Sequence, residues 1–303
     1  MLGRREAVAC GCGFLTFLSA RLANAQPVLG PFSIPELEQA RVSYGPGVRA
    51  MFYNDLINRL PPTKRSLLAN IRLEMPVSED PSFPLAARSR SDYGVVELPV
   101  RTILFIQQYA ALLAYYTRNG CPAIQPFVYA RMLVSDKAVG TRPPGPLKAF
   151  GLSRAIYQDE FVRDVARKTA ATTLFFILAH ELGHLFHNHV PGLQGPASIA
   201  QEKQADAFAL DAASDVGVFP MGMAMYFQVM AVSEGPQNTH PLSSDRMEAI
   251  ARRVASNPAA FMDPHEDPAR FIPRVLEVAE TLRRIARKID HTEVRTNFDE
   301  LAV

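Results

Sequence analysis

The feature that most constrains this chain is a helical pattern running from Asp159 to about Asn188, which Pro191 and Gly192 bring to a stop. Within it, Thr172 to Ala179 is almost wholly apolar, as a helix crossing a protein core must be. That run leads directly into His180-Glu181-Leu182-Gly183-His184. Residues four apart share one helical face, so the two imidazoles can converge on a single metal ion. Glu181 projects beside them, where it can take a proton from water on the metal.

This five-residue spacing occurs by chance in many proteins, and two further features strengthen it. Four of the chain's seven histidines fall between positions 180 and 189. The segment Glu202-Lys-Gln-Ala-Asp206 then places two carboxylates four apart on the next predicted helix. A tetrahedral catalytic zinc needs three protein ligands and one open position. His180, His184 and Glu202 supply that set. Asp206, one turn later, can accept the free ring N–H of a zinc histidine and so fix its tautomer. His187 and His189 fit the ligand geometry less well. They read as ordinary polar residues at a helix end, where cations favour the dipole.

Three segments resemble gluzincin peptidases of the HtpX and CAAX-prenyl-protease family. Ile177-Leu-Ala-His-Glu-Leu-Gly-His184 looks like the active-site helix. Glu202-Lys-Gln-Ala-Asp-Ala-Phe-Ala209, followed by Gly217 and Pro220, is similar to the third-ligand helix. Thr239-His-Pro-Leu-Ser-Ser-Asp-Arg246 resembles a later His-Pro motif. The matches come in the family's order and span about residues 172–250. The resemblance implies a Zn2+ cofactor on His180, His184 and Glu202, with Glu181 as catalytic base and Asp206 supporting the site. It also implies that His240 and Arg246 lie near the open position as catalytic groups stabilising an oxyanion, or that His240 occupies the site at rest. Only 17 residues separate His184 from Glu202, which is short for the family and similar to cytoplasmic gluzincins of the ImmA/IrrE type. An export signal and the His240–Arg246 motif favour the first family. The polytopic helices of HtpX are absent from the pattern, so the likeness is to soluble exported members.

The export signal is read from residues 1–25. Arg4 and Arg5 precede an apolar run from Ala7 to Leu18, and Ala23-Asn24-Ala25 has the small-x-small form of a cleavage site. Removal at Ala25 leaves basic and acidic residues balanced, which argues against a nucleic-acid partner. It also leaves Cys121 as the lone cysteine, expected to be a buried small hydrophobe with no disulfide. The expected product is a periplasmic or envelope protein.

The rest of the chain divides into a Pro-rich region at 26–90, a metallopeptidase core at 91–258, and a C-terminal loop and helix at 259–303. A helix is expected over Ile34–Leu60, closed by Pro61-Pro62, and Leu67–Met75 suits a strand or short helix. Strands are expected at Tyr93–Pro99 and Phe127–Val134. Arg101–Arg118 reads as a buried core helix. Further helices are expected from Ala200 to Val216, from Pro220 through a methionine stripe to Val232, from a cap at Ser243 or Ser244 to Ala255, and from Ala269 to Ile289. The fold class is therefore α+β, a mostly helical zincin-like peptidase with a small sheet. Substrate is expected to lie along the open edge of a strand at Gly94–Leu98. The functional expectation is a zinc endopeptidase acting on protein or peptide substrates in the envelope. Association with membrane-bound envelope proteins and the oligomeric state stay open. The alternatives are a chaperone-like metal-binding module with little turnover and an amidase on cell-wall or small-molecule amides.

Overall fold

A computed structural model describes residues 31–78, 85–122, 124–134, 144–232, 240–263 and 265–290. The proposed signal segment, Thr239 and the tail after Asp290 lie outside the described residues. The elements in chain order are α1 (Ile34–Ala50), α2 (Pro62–Leu68), β1 (Arg72–Glu74), β2 (Arg88–Arg90), β3 (Val95–Glu97), α3 (Val100–Arg118), α4 (Ile124–Val134), the single turn α5 (Pro146–Ala149), α6 (Glu160–Phe186), α7 (Gly195–Val216), α8 (Met221–Val232), α9 (Ser244–Ser256) and α10 (Pro268–Asp290). The fold is a mostly helical α+β architecture with one three-stranded sheet. None of the described helices is long and apolar enough to cross a membrane.

Helix α6 is the axis of the molecule, packing against α3, α7 and α8. Its start is set by Asp159, whose Oδ1 accepts the Val162 N–H at 3.1 Å. From Leu174 to Leu185 every side chain is buried, so the helix is held by packing on all sides rather than by one stripe. Its approach to α7 depends on Gly183. A Cβ there would stand 2.9 Å from the Ala205 Cα, inside any real contact. Gly222 does the same for α8, where an added Cβ would meet the Thr173 backbone nitrogen at 2.1 Å. Met223, Met225 and Met230 of the methionine stripe fill the core beneath α8.

The sheet has the order β1–β3–β2, with β1 parallel and β2 antiparallel to β3. This corrects the expected substrate edge. The strand within Gly94–Leu98 is central, paired on both sides, and Val95 and Val96 are buried. Pro99 ends the strand without leaving its edge open, because distant segments supply both neighbours. Among the described residues β1 and β2 are the outer strands, and β2 is the one that packs most closely on α6.

A second correction concerns Phe127–Val134, expected as a strand and found inside helix α4. A short, uniformly apolar run carries no periodicity to separate the two. Cys121 is buried as expected. It is disulfide-bonded in the full-length chain, whereas the expectation of no disulfide is for a chain without residues 1–25.

Candidate metal centre

The buried end of α6 presents His180, Glu181 and His184, all less than a tenth exposed. Helix α7 crosses it at Gly183 and presents Glu202 and Asp206. His240 and Arg246 come from the segment that opens α9, where the Ser243 hydroxyl oxygen caps the helix by accepting the Arg246 N–H. The sequence-predicted residues thus meet at one place, from three separate parts of the chain.

Their donor atoms point inward. His184 Nε2 is 3.1 Å from His180 Nε2, and each is 3.3 Å from a Glu202 carboxylate oxygen. His240 Nδ1 lies 3.2 Å from both Glu202 oxygens and 3.4 Å from His180 Nε2. His180, His184, Glu202 and His240 each offer one donor, all mutually close enough to hold one metal ion. Four donors at about 2.0–2.1 Å from a tetrahedral zinc stand about 3.3–3.4 Å apart, so the residues fit such an ion.

Charge points the same way. Glu181, Glu202 and Asp206 are three buried carboxylates, and Arg246 is the one buried guanidinium among them. With neutral histidines the cluster carries two excess negative charges, a deficit that a divalent cation removes. In the metal-free protein that deficit falls on the histidines. Burial pushes His180 down, but hydrogen bonds to Asp206 and Glu202 and their charges lift it to about 10. Burial likewise lowers His240, and the Glu181 and Glu202 charges raise it above the ordinary histidine range. Glu202 is driven up by burial, yet His240, His180 and His184 hold it well below the usual carboxylate range.

Behind the donors stands a supporting layer. His180 Nδ1 is 3.0 Å from Asp206 Oδ1, close but off the line of an ideal hydrogen bond. Arg246 donates from Nε and Nη2 to the two Asp206 oxygens at 2.9 and 3.0 Å, and from Nη1 to the Pro241 carbonyl at 2.7 Å. The same Nη1 lies 3.1 Å from Glu202 Oε2. Its guanidinium is fully buried and its donors face carboxylates and a carbonyl. The structure therefore places Arg246 behind the donor set, not at an open position facing an oxyanion.

Glu181 lies on the other side. Its Oε1 is 3.4 Å from His240 Nε2, and its Oε2 is buried with no partner among the described residues. An unpaired carboxylate oxygen beside the donor set suits a group that receives a proton from outside the protein. Tyr226 of α8, which sequence reasoning passed over, is also close enough for the charges of Arg246, Glu202 and Glu181 to bear on its hydroxyl, and burial raises it above the usual tyrosine range.

His187 and His189 separate. His187 is half-exposed and stacks on the His189 ring. His189 instead sits 2.9 Å, Nδ1 to Nδ1, from His184, with its Nε2 2.8 Å from Gln204 Oε1. The expectation that both are plain helix-end polars fails for His189. Burial lowers its pKa, as does the neighbouring His184.

Residues 141–263 match the family model described as Peptidase U49. The match covers helices α6 to α9 and every residue of the cluster, and it supports a peptidase. No curated protein and no solved structure matches the chain.

Proposed function

We propose that the chain is a zinc-dependent endopeptidase whose metal ligands are His180, His184 and Glu202 and whose general base is Glu181. The observation that carries this reading is the convergence of those three donors with the unpaired Glu181 oxygen beside them. The mixed nitrogen and oxygen donor set suits zinc among common divalent ions. When bound, zinc supplies Lewis-acid polarisation of a carbonyl and acidifies water. Glu181 then accepts the water proton on its carboxylate and returns it to the leaving amine. His240, whose Nε2 lies 3.4 Å from Glu181 Oε1, donates to the developing oxyanion in this reading. Arg246 and Asp206 hold Glu202 and His180 in place rather than touching substrate. The substrate backbone pairs with β2, the outer strand against α6, in place of the central β3.

A second reading rests on His240. Four protein donors make a closed site, the form of a structural rather than a hydrolytic zinc. A binding or chaperone-like module would keep the metal and show little turnover. The test is Glu181→Gln with His240→Ala, each assayed for zinc content and for cleavage of an unfolded protein. The peptidase predicts that Glu181→Gln keeps about one zinc per chain and loses cleavage by roughly 100-fold or more. Absence of cleavage in the wild type, together with loss of zinc in His240→Ala, points to the closed structural site.

The N-terminal pattern supports export with removal of residues 1–25, and this is testable by chemistry. The chain has only three cysteines, at 10, 12 and 121. A processed chain has an N-terminus near Gln26 and no second cysteine with which Cys121 could form an intramolecular disulfide. A chain that begins at Met1 and shows Cys121 in a disulfide refutes the processing.

A further inference from the structure

We infer that His189 is a positioning residue for His184, and that Gln204 sets the direction of its hydrogen bond; this rests on the metal reading above. The observation begins with how α6 ends. His187 closes the helix and Asn188 turns back with φ of 51°, a left-handed conformation that asparagine tolerates better than most residues. The next backbone N–H, that of His189, then bonds to the His184 carbonyl at 3.0 Å, while Asn188 N–H bonds to Leu185 at 3.2 Å. This is the Schellman pattern, in which the second residue beyond the cap returns to the carbonyl five positions back. It folds His189 over His184 and brings their Nδ1 atoms to 2.9 Å.

The protons then follow from donor and acceptor logic. His184 must keep its Nε2 lone pair for a metal, so its proton sits on Nδ1 and has to be donated. His189 Nδ1 can accept it only if His189 carries its own proton on Nε2. Gln204 Oε1, 2.8 Å from that Nε2, is the acceptor that keeps it there. The relay therefore runs His184 Nδ1–H to His189 Nδ1, and His189 Nε2–H to Gln204 Oε1. A donor in place of Gln204 would reverse both bonds and leave His184 with the wrong face protonated.

The relay also has a rigid base. Gln204 sits on α7 between Glu202 and Asp206, so the helix that carries one metal-facing carboxylate also orients a metal-facing imidazole. Gln201, one turn earlier, holds the loop itself: its amide meets both the Val190 N–H and carbonyl at 3.0 Å when its oxygen faces the N–H. His180 has Asp206 behind it and His184 has His189, so each histidine of the pair has its own support.

The experiment uses the full chain, labelled with 15N-histidine, in metal-free and zinc-loaded form. A hydrogen-bond coupling between His184 Nδ1 and His189 Nδ1 is expected, with His189 protonated on Nε2. His189→Phe should weaken zinc binding by about 10- to 100-fold. Gln204→Leu, at an exposed position that leaves the loop backbone intact, should weaken it in the same direction, and Gln204→Glu should restore it. His187→Phe should bind as the wild type does. A His189 protonated on Nδ1, or a folded His189→Phe that binds zinc as tightly as the wild type, overturns the relay. If the wild type takes up no zinc, the metal reading fails by itself, and the coupling in the metal-free protein still decides the relay.

Discussion

At the residue scale the centre is governed by buried charge, and Asp206 shows it most clearly. Burial drives its carboxyl up, but the Arg246 guanidinium and His180 outweigh that and hold it below the ordinary value of 3.8. A folded-state pKa below the unfolded one means stability that is present above about pH 4 and lost as pH falls through the folded value. Metal-free protein should therefore lose Tm steeply on acidification below pH 4, and Asp206→Asn should flatten that slope while lowering Tm at neutral pH. Removing one partner of a buried pair costs about 3–5 kcal/mol, because the other charge stays buried. Thermal melts of both proteins across pH 2.5–7 check this, and an Asp206→Asn curve parallel to the wild type contradicts it. The acid loss is shared with Glu202, which the neighbouring histidines depress in the same sense.

At the element scale the site depends on how closely α7 approaches α6. Gly183 lies inside the histidine pair, and its missing side chain is what lets Ala205 sit against the helix. Gly183→Ala favours an isolated helix by up to about 1 kcal/mol. Here it must push α7 away, an overpacking cost of about 1–3 kcal/mol, and Glu202 and Asp206 move with it. The expected result is a folded protein of lower Tm with clearly weakened zinc binding. Calorimetry and metal titration on Gly183→Ala read both, and unaltered zinc affinity would mean that α7 is not held by this contact.

Element scale is also where the sequence was most and least readable. Helix α6 was legible because a cap, an apolar run, an i,i+4 histidine pair and a Pro-Gly stop all agree. Glu202 and Asp206 were legible as a matched pair on the following helix. The strand-like run in α4 was not, since aromatic and β-branched residues without periodicity suit either element. The central place of β3 was hidden because its neighbours come from residues 72–74 and 88–90, and pairing at that distance leaves no local mark. His189 was missed for a similar reason. Helical spacing puts residue 189 off the ligand face, and only the left-handed turn at Asn188 brings it back. An asparagine just past a helix end, with a histidine five residues beyond the second ligand, was the available signal.

At the scale of the whole molecule, one continuous core joins regions that have no visible share in the chemistry. It runs from Phe32 in the N-terminal region to Ala286 in α10. Helix α10 offers no donor to the metal centre, yet it covers α9, and α9 carries Arg246 against Asp206 and Glu202. The buried face of α10 includes Val275, Val278, Leu282 and Ile285, each nearly or fully removed from solvent. Burying side chains of this kind stabilises by about 1.5–3 kcal/mol each, so the four together supply on the order of 6–12 kcal/mol. That matches the entire stability of an ordinary domain, about 5–15 kcal/mol. A chain ending at Asp267 should therefore lose its cooperative thermal transition and its zinc together. The narrower substitution Leu282→Ala, at a fully buried position, should cost about 2–5 kcal/mol and leave a folded protein. In that variant zinc affinity should fall less than stability, because Arg246 still has its carboxylates and only the support behind α9 has loosened. Paired melts and titrations separate the two quantities. If Leu282→Ala removes the metal while the fold melts as in the wild type, α10 touches the site by a route other than packing.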